Sequence, residues 1–437
     1  MAYLPQLIFV LILGFFGFLI AKRVSRIRKN ILSGRPETIN DHKPQRLRNM
    51  LLVAFGQKKM FKRPVPAFLH LLIYVGFVLI NLEVLEIIID GLAGTHRVFA
   101  PLLGGFYGVL IGFFELLAVG VLVACVAFLI RRNVMKVPRF HKPEMKGWPA
   151  MDGNLILVIE IALMMAILKM NAADTVLQMR GVAHYPDNGP YLISQLLVPI
   201  FEGFSDGFLI FVERAAWWFH IVGIFAFALY VTYSKHLHIF LAFPNTYYGR
   251  VTPQGQLKNM PEITNEVKIM LGLPIEGEAA PPPEGMKFGA KDAKDLSWKN
   301  LMDAYACTEC GRCTSECPAN LTGKKLSPRK IMMDTRDRLE DVGNGLNADK
   351  TLLGDYISKE EINACTNCNA CVEACPVMIN PLDIIMQLRR YVAMEESAAP
   401  PAWNAMFQNV ETNFAPWKFA PTDRFNWASE MKSEQQK

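Results

Sequence analysis

From residue 295 onward no run alternates apolar and polar positions in the manner of a half-buried strand, which argues against a β-sheet core in that part. No G-x-G-x-x-G or other nucleotide-binding motif occurs, so nothing indicates a domain for hydride or phosphoryl transfer. Cysteine is nearly confined to two short stretches: eight of the nine lie between 307 and 375, and Cys125 sits alone in an apolar run where packing is its expected role. That distribution excludes a disulfide framework. The apolar run at 4–21 has no basic residue before it and no small-residue cleavage site after it. The basic stretch KRVSRIRKN follows instead, so the run reads as a retained helix with its N-terminus outside.

What is present begins with two copies of one pattern, CTECGRCTSECP from Cys307 to Pro318 and CTNCNACVEACP from Cys365 to Pro376. Each reads C-x2-C-x2-C-x3-C-P, the run that holds [4Fe–4S] clusters in two-cluster ferredoxins, where the fourth cysteine ligates the other cluster. The crossing assigns Cys307, Cys310, Cys313 and Cys375 to one cluster, and Cys365, Cys368, Cys371 and Cys317 to the second. Paired zinc sites use the same C-x2-C spacing, but they have no need of a repeated four-cysteine run with a trailing proline. Oxygen-sensitive clusters of this kind belong in a reducing compartment.

Half of the residues, 51%, are apolar, and they concentrate in runs. Spans are expected at about 4–21, 65–89, 102–130, 151–170 and 207–241, with 190–201 too short to cross and read as interfacial. Segments 22–63 and 131–150 carry 13 and 6 Lys/Arg, whereas the opposite loops carry only Arg97 and Arg180. The positive-inside rule then puts both basic segments and the C-terminus in the cytoplasm. Topology and anionic lipid account for those charges without nucleic acid. A proline-rich stretch, EGEAAPPPEG at 276–285, reads as a semi-rigid linker. The domains are therefore expected as a membrane part at 1–245, a linker at 246–294, and a helical ferredoxin part at 295–437 whose tail binds a partner. Ser327-Pro328, the Ser358–Glu361 box and Asn380-Pro381 mark helix starts in the last part. The fold class is all-α: a five-helix transmembrane bundle, N-terminus out and C-terminus in, followed by a cytoplasmic α-helical ferredoxin.

Ionisable residues within membrane spans are functional candidates. His70 lies near the cytoplasmic end of its span, and His220 and His238 are eighteen residues apart in the last. On one continuous helix that spacing is five turns, which stacks the two on one face roughly 27 Å apart, with His236 about 160° away as a surface or capping residue. Depth pairs His70 with His238 as axial ligands of a haem b. The partner of His220 would fall near Ile80 or Asn81, neither a good haem ligand, leaving that second site incomplete. Glu83, Glu86 and Asp90, with His96 and Arg97 beyond them, and Glu115 and Glu160 within their spans, read either as parts of a quinone pocket or as a solvated helix end and inter-helix hydrogen bonds.

The membrane part resembles the cytochrome b of respiratory nitrate reductase gamma subunits, and the membrane subunit of heterodisulfide reductases, through His70, His220, His238 and the K-H-L-H-I-F-x-x-F-P ending. In the nitrate reductase pattern a further histidine stands where this chain has Ile80. Residues 295–437 resemble the dicluster subunit of heterodisulfide reductase, and more loosely the helical ferredoxin half of succinate dehydrogenase iron–sulfur subunits. The tail APWKFAPTDRFNWA at 415–428 is part of that likeness. The resemblance implies a membrane-anchored electron-transfer subunit linking quinone, haem b and two [4Fe–4S] clusters to a separate cytoplasmic redox partner. That partner would carry the CCG repeats that this chain lacks. The competing expectation is a haem-free anchor for a dicluster ferredoxin.

Overall fold

The computed structural model describes residues 3–189, 191–274 and 287–434; the proline-rich stretch at 276–285 lies outside the described residues. Among the described residues there is no β-strand, only two isolated bridges, and five helices are long and apolar enough to cross a membrane. These are α1 (Leu4–Leu32), α2 (Pro64–Ala93), α3 (Gly105–Leu129), α4 (Trp148–Met179) and α5 (Asp206–Val231). Prolines at the first turns of α1, α2 and α4 start those helices where a missing N–H costs nothing. Ser205 caps α5 by accepting from the Phe208 amide.

The central helix is α4, whose Asn171, Ala172, Ala173 and Asp174 are wholly buried. In contrast, α1 lies at the edge and turns Leu7, Leu11, Phe15 and Phe18 outward, as a lipid-facing helix does. It is held through Phe9, which packs against Trp217, Trp218 and Phe225. Gly91 of α2 makes room for that ring, since a Cβ there would stand 2.7 Å from it.

The last span ends earlier than the apolar pattern suggests. It stops at Val231, a tight turn covers Lys235–Leu237, and a separate helix, α6 (His238–Tyr247), follows. The cause is tertiary. The Asp152 carboxylate at the start of α4 accepts from the Ser234 hydroxyl at 2.7 Å, from the Lys235 amide at 3.1 Å and from Tyr230. It thus satisfies the amides that a new helical turn leaves open. His220 and His238 therefore do not share one helix, and the five-turn stacking is corrected. His236 is corrected with it, because the break turns it inward.

Beyond the membrane part, α7 (Trp298–Tyr305), α8 (Pro328–Asn344) and α9 (Pro381–Met394) form the frame of a helical unit. Ser327, Ser358 and Asn380 cap as their spacing predicts. This unit is docked directly on the bundle. The α1 helix extends past its apolar run so that Ile27 and Ile31 join the core of the helical unit. Arg23 makes two hydrogen bonds to Glu340 at 2.7 and 2.9 Å, and Asn30 donates to Tyr305 at 2.9 Å. Arg63 reaches Ser315 and Glu316, and Arg329, fully buried, donates to the Arg139 carbonyl and to Glu144, both of the second basic segment. The two basic segments thus face the cysteine runs and hold them.

The run at 190–201 is also more than interfacial. Tyr191 and Ser194 are wholly buried, plugging the bundle end opposite the cysteine runs.

Candidate redox site

Each cysteine run is a tight turn with the same two left-handed residues: Glu309 (φ 55°) and Gly311 (φ 72°) in the first, Asn367 (φ 58°) and Asn369 (φ 60°) in the second. Asparagine tolerates that region and glycine is indifferent to it; glutamate is not favoured there. Glu309 is held by Lys235 and by Arg336 at 2.9 Å. Burial would raise its carboxyl, but Arg336 and Lys235 outweigh burial and hold it below its ordinary value.

Cys307, Cys310, Cys313 and Cys375 line one small cavity. Cys371 lies beside Cys365, Cys317 and Cys368, close enough for their charges to interact. Two backbone amides donate to sulfur: Asn367 to Cys365 at 3.4 Å and Ile379 to Cys375 at 3.3 Å. Among the described residues no three His, Cys, Asp or Glu side chains converge on a point that a single ion would occupy. Cys307, Cys310, Cys313 and Cys375 thus line a space, as the ligands of a cubane cluster do. Burial pushes the Cys307, Cys371 and Cys375 thiols up to about 12, so taking up iron must displace protons from them. Cys307, Cys317, Cys371 and Cys375 are buried, whereas Cys368 is exposed. The second group therefore reaches the surface.

A second cavity, of about 280 Å3, lies where the cysteine runs meet the bundle. His70, His236 and His238 line it from the membrane side, and Thr308, Cys310 and Arg312 from the other. The rings of His70 and His238 have centroids 6.3 Å apart. A metal held at about 2 Å by one nitrogen of each ring would separate the centroids by about 6 Å. Each ring is oriented through its Nδ1–H, His70 donating to Gln57 Oε1 at 3.0 Å and His238 to the Lys235 carbonyl at 3.1 Å. Outer hydrogen bonds of this kind fix the tautomer that leaves Nε2 for a metal. The pair thus fits a haem iron. The His236 ring, its centroid 5.4 Å from that of His238, has no such anchor among the described residues.

His220 stands apart. It is wholly buried, its Nδ1–H donates to the Leu163 carbonyl at 3.0 Å, and its Nε2 has no partner among the described residues. It lines a separate cavity with Ile80 and Asn81, the positions expected opposite it. Glu160 lines both cavities.

The carboxylates at the far end are not a solvated helix end: Glu83, Glu86 and Asp90 are buried. Arg97 binds Glu83 at 3.2 Å, Asp174 at 3.1 Å and Asn171 at 2.5 Å. Glu86 accepts from Tyr107 and the Phe99 amide, and Asp90 from the Arg97 amide and Thr95. Glu115 accepts from Asn171 and the amides of Ile193 and Ser194, the inter-element bonding expected of it. His96 lies against Asp174. These groups are committed to one another, as buried charges must be. Glu160 differs, with no hydrogen bond or ion pair among the described residues.

Sequence reasoning missed His236, Gln57 and the Asp152–Lys235–Glu309 chain. The K-H-L-H ending held a signal for the first, since two histidines two residues apart face one cavity only if the helix breaks.

Residues 306–379 match the 4Fe-4S dicluster domain, and residues 1–35 match a conserved transmembrane helix of mechanosensitive ion channels, which covers α1 alone. The chain is 27% identical over 460 residues to the probable iron-sulfur-binding oxidoreductase FadF of Bacillus subtilis (strain 168), covering 97% of this chain and 61% of that one. It is 26% identical over 425 residues to the EtfAB:quinone oxidoreductase of Syntrophomonas wolfei, covering 90% of this chain and 55% of the relative. Over 100 residues, 23% of the chain and 52% of the relative, it is 34% identical to one of the subunits of the ferredoxin/F(420)H(2)-dependent CoB-CoM heterodisulfide reductase of Methanosarcina acetivorans. The chain thus spans less than two thirds of the length of each of the first two. No solved structure matches. The relatives are oxidoreductases and an oxidoreductase subunit, and this chain carries a 4Fe-4S dicluster domain beside five helices long and apolar enough to cross a membrane.

Proposed function

We propose that the chain is the membrane-anchored electron-transfer subunit of a quinone-linked oxidoreductase. It would connect membrane quinone, a haem b held by His70 and His238, and two [4Fe–4S] clusters to a separate redox partner. The observation that carries this reading is the cavity that His70 and His238 share with Cys310. When bound, haem and clusters supply one-electron chemistry that no side chain can. The residues supply placement. Gln57 and the Lys235 carbonyl aim the imidazoles, and the Lys235–Glu309 contact locks the first cysteine turn to the bundle. Exposed Cys368 gives the second cysteine group its outlet.

The resemblance to nitrate reductase gamma-type cytochrome b belongs to this proposal, as do the ligand sets, the domain limits and the cytoplasmic orientation. The two basic segments support that orientation, since they lie on the side that carries the cysteine runs. The name of the Syntrophomonas relative supports the quinone. The heterodisulfide reductase likeness supports a partner with CCG repeats. For docking, the tail presents exposed Trp403, Phe407, Trp417, Phe425 and Trp427.

Co-purification tests the assembly. A CCG-repeat protein retained with the chain is the expected result, and a flavoprotein or molybdoenzyme alone contradicts the heterodisulfide-type arrangement.

A further inference from the structure

We infer that the cavity beneath His220 is the binding site for a quinol headgroup and not a second haem site; the inference rests on the quinone-linked reading above. The cavity volume is about 70 Å3, against about 280 Å3 for the one at His70 and His238, too little for a second haem; a ring seated there would lie partly in its mouth at Phe77 and Asn81. Its far wall presents Ile80, where a second imidazole would have to stand. The neighbouring Asn81 amide is spent on the Phe77 carbonyl.

Two polar groups remain uncommitted in this otherwise apolar space. His220 Nε2 is buried with no partner, and the Glu160 carboxylate, 9% exposed, makes no hydrogen bond or ion pair among the described residues. A buried group without a partner is costly unless a ligand completes it. With Nδ1 protonated, His220 Nε2 accepts, as does the Glu160 carboxylate, so the two match the two hydroxyls of a quinol ring. Phe77 and Asn81 line the cavity and are also exposed on the outer surface of α2, which gives a lipid-dissolved ring its entrance. Glu160, Ile73 and Phe77 line both cavities, so the ring would lie directly beside the His70–His238 site.

The test uses the full chain in detergent, titrated with the fluorescent quinone-site probe 2-heptyl-4-hydroxyquinoline N-oxide, with haem counted by its pyridine adduct. The wild type should bind one equivalent of probe and carry one haem b. His220→Gln and Glu160→Gln should each weaken the probe about tenfold, the loss of one buried hydrogen bond, with haem content unchanged. Ile80→Phe, which fills the cavity, should abolish binding. Loss of haem in His220→Gln overturns the inference by making His220 a haem ligand. Unchanged probe affinity in all three variants overturns the site alone. A wild-type chain that neither binds the probe nor is reduced by a quinol overturns the quinone-linked reading itself.

Discussion

Lys235 of the membrane part and Glu309 of the first cysteine turn form an ion pair in which Glu309 is buried and Lys235 nearly so. Lys235 also donates to the Pro149 carbonyl, and its own carbonyl anchors His238. A single residue thus ties the cysteine turn, the start of α4 and a proposed haem ligand together.

Glu309 bridges Lys235 and Arg336, so Glu309→Ala strips both cations of their shared carboxylate and should destabilise the docked helical unit by about 3–5 kcal/mol. Lys235→Ala leaves Glu309 its Arg336 partner and should cost less. The double variant should cost less than the sum of the two single losses. Thermal unfolding of the three variants checks this, and strictly additive losses would show that the pair is not coupled.

The crossed cysteine assignment predicts which cluster each trailing cysteine supports. Cys375→Ala should remove the cluster of the first run, and Cys317→Ala that of the second, each lowering bound iron to about half. Iron analysis with electron paramagnetic resonance of the reduced protein separates the two. If Cys317→Ala perturbs the cluster beside the His70–His238 cavity instead, the crossing is wrong.

Docking through α1 should be acid-sensitive. Burial would raise the Glu340 carboxyl, but hydrogen bonds from Arg23 and Tyr305 and the Arg23 charge outweigh it and hold the group below its ordinary value. A depressed carboxyl contributes stability that is present above the unfolded value, about 4.3, and is lost as pH falls through the folded one. Thermal stability should fall with acidification through that window, and Glu340→Gln should flatten the fall while lowering stability at pH 7.

Much of this is legible in the residues and part is not, for identifiable reasons. The cysteine runs and the Ser327, Ser358 and Asn380 caps are local signals, and local structure follows them. His70 and His238 pair by depth, a one-dimensional coordinate that survives helix packing, and their rings do meet. The break after Val231 is hidden because its cause, Asp152, lies far away in the chain, while the residues around it remain apolar enough to continue a span. The inward turn of His236 is hidden for the same reason. The basic segments are countable for topology, but a count of charges cannot reveal that Arg23, Arg63 and Arg139 also hold the helical unit.

The His70–His238 site admits the most direct test, a reduced-minus-oxidised optical spectrum of the purified chain and its histidine variants. The wild type should show the α-band of a b-type haem. His70→Ala and His238→Ala should each lose it, His236→Ala should keep it, and Gln57→Ala should keep it with affinity weakened about 10- to 100-fold through the lost orienting bond. A wild-type chain without the band, or a band that survives both His70→Ala and His238→Ala, would contradict the pairing.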